Sequence, residues 1–332
     1  MLNQKQFLSP HIFTKSLETL SNRDGYGQGL VLAGEHDPNI VVLAADLSDS
    51  TKASLFKEKF PTRFIEVGVA EQALATIGSG MASYGKIPFL NSYAIFSPGR
   101  NWEQIRTTIC LNNVPVKIIG SHAGITVGPD GGSSQALEDI ALMRTLPNMI
   151  VVVPADSQEA QKATQEIAKN QKPTYLRLTR MATPVFTTPK TPFTIGKAEV
   201  LWESRDPKVA IIGCGHLVYE ALKAAKSLSE SRIGSIVINN HTIKPLDEQT
   251  IIRAAKTTGC IVTIEDHQVN GGLGSVVAET LAKNFPTPIE MIGIEDKFGE
   301  SGDPKELLEK YKLTAKYIIQ TAKKVIKRKN NW

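Results

Sequence analysis

A short strand that leads directly into a helix is predicted by the sequence Phe64-Ile65-Glu66-Val67-Gly68-Val69-Ala70-Glu71-Gln72. Apolar residues alternate with Glu66 and Gly68, as in a buried strand, and small residues continue through 73–80, as in a closely packed helix. Glu71 falls in the first turn of this helix, where the macrodipole favours a carboxylate. Because a buried carboxylate costs free energy unless a partner meets it, the sequence predicts that something binds Glu71.

The composition is that of a soluble globular protein with about two domains. The chain has 332 residues, of which 41% are hydrophobic and 21% charged, and its net charge is +5. Part of the positive charge lies in a final helix near 322–329, without the interleaved aromatic residues of a nucleic-acid-binding surface. We therefore expect no nucleic-acid partner, whereas phosphorylated small molecules suit the charge.

Signals of export and of a membrane are missing from the sequence. Cys110, Cys214 and Cys260 are far apart and form no C-x-x-C motif, which argues against disulfides and zinc and favours a reducing cytoplasm. The first residues lack the basic and apolar segments of a signal peptide. No apolar run reaches about 18 residues, so we expect no membrane span.

Strand and helix signals alternate over residues 1–182 and predict an α/β domain with a doubly wound, mostly parallel sheet. Predicted strands cover 40–45, 64–69, 88–90, 114–119, 149–153 and 174–178. Predicted helices cover 7–35, with a break near 21–23, and 71–83, 102–111, 136–145 and 157–170. The nearly continuous apolar run at 40–45 is typical of a strand that is buried on both faces.

A proline-rich segment at 183–196 has no periodicity and predicts a linker. A second doubly wound α/β domain is predicted for 197–332. Its strands are expected at 209–212, 235–238, 260–264 and 289–294, and its helices at 217–228, 248–257, 274–283 and 304–310. The turn Gly213-Cys214-Gly215 is only the front of a dinucleotide fingerprint, because Val218 stands where the third glycine belongs. We interpret these glycines as turn residues.

Polar and aromatic residues follow the strands of the first domain, at the edge where ligands bind in open α/β sheets. In chain order they are Asp46, Ser50, Glu71, Tyr93, Phe96, His122, Asp130 and Arg180. Each has a structural alternative: a helix-terminal carboxylate for Glu71, core aromatics for Tyr93 and Phe96, a turn for Asp130, loop hydrogen bonds for His122 and a solvated charge for Arg180. The convergence of the set, and no single member, predicts a functional site.

Several longer motifs occur in a fixed order and carry a family resemblance. They are 64–72, Gly120-Ser121-His122-Ala123-Gly124, the segment from Gly128-Pro129-Asp130-Gly131 to Asp139, and Thr242-Ile243-Lys244-Pro245-Leu246-Asp247. With these motifs the chain resembles, over nearly its whole length, the C-terminal half of transketolase, a thiamine-diphosphate enzyme. The resemblance implies a domain that binds the cofactor's pyrimidine, followed by a transketolase C-terminal domain.

The same resemblance implies a partner chain. In transketolase a first domain binds the cofactor's diphosphate through magnesium, with a Gly-Asp-Gly motif that this sequence lacks; Asp130-Gly131-Gly132 is a different motif. We therefore expect one subunit of a split transketolase, with thiamine diphosphate and Mg²⁺ as cofactors and no metal ligand in this chain. An N-terminal subunit would complete an α2β2 assembly, and the isolated chain could form a homodimer.

Roles for the residues at the strand ends also follow from the resemblance. Glu71 would hydrogen-bond a ring nitrogen of the aminopyrimidine, and a protonated carboxyl there favours the imino form that removes the thiazolium proton. Tyr93 and Phe96 match aromatics that pack on the pyrimidine, and Ser134 stands where well-known members carry His or Gln beside the reacting centre. The residues that match holders of the sugar phosphate are Arg23, Ser50, His122 and Arg180, and Asp130 matches a carboxylate that reads a substrate hydroxyl.

The leading hypothesis is a transferase that moves a two-carbon ketol unit from a ketose phosphate to an aldose phosphate, as in the pentose phosphate pathway. A deoxyxylulose-phosphate synthase or the beta subunit of a 2-oxo-acid dehydrogenase is the alternative with the same cofactor. His122 together with Arg180 favours transketolase. A non-catalytic scaffold is a third hypothesis, and the retained Glu71 argues against it.

Overall fold

The structure is a computed structural model, and it describes residues 1–329. Strands and helices alternate along the first domain. The strands of the first domain are β1 (Thr19–Ser21), β2 (Ile40–Ala44), β3 (Phe64–Glu66), β4 (Ile87–Tyr93), β5 (Lys117–Ser121), β6 (Ile150–Val152), β7 (Thr174–Arg177) and β8 (Ala182–Pro184). Its helices are α1 (Asn22–His36), α2 (Ser48–Thr51), α3 (Ser54–Lys59), α4 (Glu71–Ser83), α5 (Trp102–Gln104), α6 (Asp139–Arg144) and α7 (Ser157–Lys169).

The second half of the chain repeats the alternation. Its strands are β9 (Glu199–Glu203), β10 (Pro207–Gly213), β11 (Gly234–Asn239), β12 (Thr242–Lys244), β13 (Ile261–Gln268) and β14 (Ile289–Ile294). Its helices are α8 (Leu217–Glu230), α9 (Glu248–Thr258), α10 (Leu273–Asn284), α11 (Pro304–Lys310) and α12 (Ala315–Lys329). The last three residues of the predicted second domain, 330–332, lie outside the described residues.

Two large sheets organise these elements. The first has the order β12-β6-β7-β5-β4-β2-β3 and is parallel except for β12. The second has the order β14-β13-β10-β11-β9 and is parallel except for β9. The predicted α/β class with two mostly parallel sheets is therefore confirmed. All residues of β2 are buried, as its apolar run predicts.

The first sheet is completed by a strand from the second half of the chain. β12 pairs antiparallel with β6 through Thr242 and Val152, and the N–H of Val153 donates to the carbonyl of His241 at 2.7 Å. Buried apolar side chains of both halves, such as Val153 and Ile212, belong to one continuous core. The two domains are therefore packed as one body, and their boundaries at 182 and 197 stay a prediction.

Helix α4 forms where the sequence predicts it, and its small residues bring it close to the sheet. Gly78 faces Leu90 of β4, and a Cβ on Gly78 would lie 2.6 Å from Leu90 Cδ2. β3 ends at Glu66, earlier than predicted, because Gly68 has a φ of 71° and turns the chain away from the sheet. This turn places Glu71 at the first position of α4.

The predicted helix over 7–35 is wrong in its first part. Residues 19–21 form β1, which pairs with β8, and α1 begins only at Asn22. Ser21 and Asp24 form a capping box that fixes this start. The predicted helix over 102–111 is α-helical through Gln104 and continues as a π-helix at Ile105–Cys110.

The sequence predicts no membrane span, and the helices of residues 1–329 can be compared with that prediction. None of them combines the length and the apolar character that a membrane crossing requires.

Candidate functional site

Glu71 is buried at the start of α4, with only 3% of its surface exposed. Its Oε1 accepts a hydrogen bond from Ser92 Oγ at 3.2 Å, and its Oε2 accepts one from Arg100 Nη1 at 3.1 Å. Asn101 Nδ2 donates to its main-chain carbonyl at 2.9 Å. β4 and the loop that follows it therefore orient the carboxylate, and the guanidinium compensates for part of its burial.

A row of stacked groups leads from Glu71 across the sheet edge. The Arg100 guanidinium lies 4.1 Å from the centre of the Phe96 ring. The Phe96 and Tyr93 rings are stacked with their centres 5.9 Å apart, and Tyr93 is stacked on His122 at 3.8 Å. The contacts are thus continuous from the carboxylate of α4 to the loop after β5.

His122 is a buried, neutral hydrogen-bonding group. Its Nε2 lies 3.4 Å from Arg23 Nη1 and its Nδ1 lies 2.9 Å from Ser121 Oγ. Because a guanidinium only donates, Nε2 is the acceptor and Nδ1 carries the proton. Burial and the charges of Arg23 and Arg180 lower the pKa of His122 to about 3, so the ring is uncharged near pH 7.

Arg23 connects three segments of the chain at the His122 end of this row. Its Nη1 donates to the carbonyl of Ser50 at 2.5 Å and its Nη2 to the carbonyl of Arg180 at 3.1 Å. Its Nε is buried and has no hydrogen-bond partner within residues 1–329. Burial also lowers the pKa of Arg23. An unsatisfied guanidinium donor of this kind suits an anionic ligand.

Arg180 and Asp130 form the outer, half-exposed part of the site. Arg180 Nη1 donates to the carbonyl of Val127 at 2.6 Å and lies 3.6 Å from Asp130 Oδ1. Side chains exposed to this degree, 39% and 38%, gain little from their ion pair. Both side chains therefore stay accessible from solvent.

The contacts unite all the predicted site residues except Ser134 and Asp46, and the N–H of Asp46 donates to Glu66 Oε1 at 2.8 Å. The united residues are Arg23, Ser50, Glu71, Tyr93, Phe96, His122, Asp130 and Arg180. Ser50 takes part through its carbonyl. The N–H of Ser134 donates to the carbonyl of Gly131 at 3.0 Å, within the loop and apart from the row. The catalytic and binding roles stay predictions.

Sequence reasoning missed Arg100 and Ser92. Arg100 lies in the segment 98–101, where a cis Ser97-Pro98 bond and a tight turn follow Phe96. A basic residue just after the aromatic pair was the only signal. Within the described chain, no three His, Cys, Asp or Glu side chains are grouped as a metal site.

Two family profiles match the chain. The transketolase pyrimidine binding domain matches residues 18–185, and the transketolase C-terminal domain matches residues 196–318.

Similar proteins match over almost their whole length. A putative transketolase C-terminal section of Methanocaldococcus jannaschii is 42% identical, covering 91% of this chain and 96% of that protein. The 6-deoxy-6-sulfo-D-fructose transketolase subunit SqwH of Clostridium sp. is 40% identical, with coverages of 96% and 98%. A subunit of the apulose-4-phosphate transketolase of Phocaeicola vulgatus is 34% identical, with coverages of 92% and 97%.

A solved structure agrees with these matches. A split-gene transketolase, determined as an inactive β4 tetramer, superposes with a TM-score of 0.86 at 42% identity. The superposition covers 93% of this chain and 99% of the other. The chain belongs to the transketolase family and consists of its pyrimidine-binding and C-terminal domains.

Proposed function

We propose that this chain is one subunit of a two-chain, cytoplasmic transketolase that transfers a two-carbon ketol unit from a ketose phosphate to an aldose phosphate. An N-terminal subunit would supply the diphosphate-binding domain and its Mg²⁺, in an α2β2 assembly. The observation that carries the proposal is the continuous row of contacts from buried Glu71 through Phe96 and Tyr93 to His122 and Arg23.

The residues at one end of the row fit the pyrimidine of thiamine diphosphate. The Glu71 carboxyl offers a hydrogen bond to a ring nitrogen, and Phe96 offers an aromatic face. When bound, thiamine diphosphate supplies the nucleophilic carbon and the electron sink for ketol transfer. Glu71 would hydrogen-bond the pyrimidine nitrogen, while Ser92 and Arg100 fix the direction of its two oxygens.

The residues at the other end fit the anionic end of a sugar. Arg23 and Arg180 present guanidinium groups, which bind tetrahedral oxyanions through paired hydrogen bonds. Uncharged His122 accepts from Arg23 Nη1 and so helps to hold that guanidinium in place. Two relatives are named for apulose 4-phosphate and for 6-deoxy-6-sulfo-D-fructose, so a phosphate or a sulfonate is the chemistry to test.

Exposed apolar side chains on and around α4 support a partner. Val69 is 69% exposed, Ile77 42%, Tyr84 91% and Leu111 75%. Large exposed apolar side chains on and around one helix are typical of protein–protein interfaces. The similar split-gene protein forms an inactive β4 tetramer, which is in line with a chain that needs a different subunit for activity.

The proposal is tested by reconstitution. This chain is mixed with candidate N-terminal subunits, thiamine diphosphate and Mg²⁺, and complex formation is followed by size-exclusion chromatography. Ketol transfer is then measured from xylulose 5-phosphate, and in parallel from 6-deoxy-6-sulfo-D-fructose, to an aldose phosphate. A complex that binds the cofactor but transfers no ketol unit contradicts the proposal, and consumption of pyruvate by that complex would favour the alternative enzymes.

A further inference from the structure

The C-terminal domain holds the main-chain N–H of Ile125 directly and is linked to its carbonyl through Gln135 of the first domain. The N–H of Ile125 donates to Asp266 Oδ1 at 3.0 Å. Its carbonyl accepts from Gln135 Nε2 at 3.2 Å, and the same amide donates to the carbonyl of Glu300 at 3.0 Å. Ile125 begins the 3₁₀ turn Ile125–Asp130, so the second domain contacts the start of this turn.

The residues of this turn and those just before it belong to the proposed substrate site. His122, three residues before Ile125, faces Arg23, while Asp130 at the end of the turn faces Arg180. The N–H groups of the two intervening residues are held by other acceptors, Leu178 O at 3.0 Å and Ala136 O at 2.9 Å. Among the acceptors of the N–H groups of residues 123–125, Asp266 is the one from the second domain.

Asp266 is buried at the interface between the two domains. It is 3% exposed, and its carbonyl accepts from Arg177 Nη2 at 2.8 Å. Its Oδ2 has no hydrogen-bond partner among the described residues and lies 3.8 Å from His216 Nε2. Gly124 has a φ of 82°, and a Cβ there would lie 2.1 Å from Asp266 Oδ2. The loop and the carboxylate thus fit each other without room for a side chain between them.

We infer that Asp266 is a positioning residue of the substrate site, which sets the place of His122 and Asp130 by holding the N–H of Ile125 from the second domain. The inference rests on the proposed function, and it gives the C-terminal domain a part in substrate binding. Loss of the Asp266 carboxylate leaves a buried N–H unsatisfied, which favours displacement of the loop. Glu71 and Phe96 are held by other contacts, so the cofactor end of the site stays in place.

The test uses the reconstituted complex and four variants. Asp266→Ala removes the acceptor, while Asp266→Asn keeps an oxygen that can accept from Ile125. Gln135→Met cuts the tie between the Ile125 carbonyl and Glu300 with little change of volume. Asp247→Ala is the matched control, because Asp247 also accepts backbone N–H groups within the second domain, from Thr250 at 3.2 Å and Ala198 at 3.1 Å, away from the loop.

We expect Asp266→Ala and Gln135→Met to raise KM for donor and acceptor sugars by roughly tenfold. The dissociation constant of thiamine diphosphate should change less than about twofold, and Asp266→Asn should restore most of the KM. Wild-type KM values in Asp266→Ala and Gln135→Met, or equal losses in Asp247→Ala, would overturn the inference.

A second readout is independent of turnover. Amide hydrogen exchange of segment 122–130 should be faster in Asp266→Ala than in Asp247→Ala and the unmodified chain. Unchanged exchange in that segment overturns the inference even if the complex is an active transketolase. Faster exchange in a complex that turns over no sugar supports the positioning contact and contradicts the proposed function.

Discussion

Arg100 pairs with Glu71 across 3.1 Å, between Nη1 and Oε2, and the same guanidinium covers the Phe96 ring at 4.1 Å. Glu71 is buried, whereas half of the Arg100 side chain is exposed. Arg100, in the loop after β4, therefore stabilises the positions of both Glu71 and Phe96, the two residues that we propose to contact the cofactor.

Replacement of Arg100 should weaken cofactor binding. In Arg100→Met the Glu71 carboxylate and the Phe96 ring lose their common partner, so we expect the dissociation constant of thiamine diphosphate to rise about fivefold to tenfold in the complex. A cofactor titration followed by circular dichroism measures it. Arg106→Met, at an exposed arginine of the neighbouring π-helix, is the control. An equal loss in both variants would contradict a specific role for Arg100.

Replacement of Glu71 by glutamine should stop ketol transfer. The amide keeps the shape of the side chain but cannot hold a transferable proton at the pyrimidine nitrogen, so kcat should fall by about 10²–10⁴-fold. The complex should still assemble, as measured by size-exclusion chromatography. Glu66→Gln, at an exposed carboxylate of β3, serves as the control. Turnover near the wild-type rate in Glu71→Gln would remove Glu71 from the mechanism.

Arg180 should act on the anionic end of the substrate. In Arg180→Met we expect KM for a ketose phosphate to rise about tenfold to a hundredfold, because a charge-assisted contact is lost. KM for the same sugar without its phosphate should change little. Arg205→Met, at an exposed position of the second domain, controls for the loss of positive charge. A similar KM change for both sugars would place Arg180 outside the phosphate site.

The buried ion pair of Asp139 and Arg177 should matter for stability. Arg177 Nε lies 2.7 Å from Asp139 Oδ2, and both side chains are almost fully buried. Asp139→Ala leaves the guanidinium unpaired, so we expect the free energy of unfolding to fall by about 3–5 kcal/mol. Denaturant unfolding measures it. The free energy of unfolding should fall less in the double variant Asp139→Leu/Arg177→Met than in Asp139→Ala. A larger fall in the double variant would contradict the destabilisation that we assign to the unpaired guanidinium.

The pH dependence of stability should reflect His241. Burial lowers the pKa of His241 from 6.5 to about 3, so its contribution to stability is present above pH 6.5 and is lost as the pH falls toward 3. Between pH 7 and pH 4.5 the free energy of unfolding of the wild-type chain should fall by up to about 3 kcal/mol more than that of His241→Gln. Denaturant unfolding at the two pH values gives this difference. His36→Gln, at an exposed histidine, should follow the wild type, and parallel losses in all three chains would contradict the prediction.

The sequence predicts much of the sheet because its signals are local. The apolar run of β2 and the small residues of α4 act within one element, and both elements form where they are expected. The predicted break near 21–23 falls at the start of α1, but the helix predicted before it is wrong because β1 exists only through its pairing with β8, a contact distant in the chain. For the same reason, β12 carried no local signal of joining the first sheet.

The candidate site was predictable where residues follow strands. Glu71, Tyr93 and His122 lie at or just beyond the ends of β3, β4 and β5, so parallel pairing brings them together. Arg100 and Asp266 could not be placed, because a tight turn brings the first back to Glu71 and the packing of two domains brings the second to Ile125.

Because β12 belongs to the second half of the chain but pairs in the first sheet, the sheet is incomplete during synthesis on the ribosome. When residues 1–182 have emerged, β6 still has one open edge, because its partner Thr242 has not yet been made. An open strand edge is a template for pairing with other chains. Residues 1–182 expressed alone should therefore aggregate, and a gene cut at the proline-rich segment should not yield two separately stable proteins.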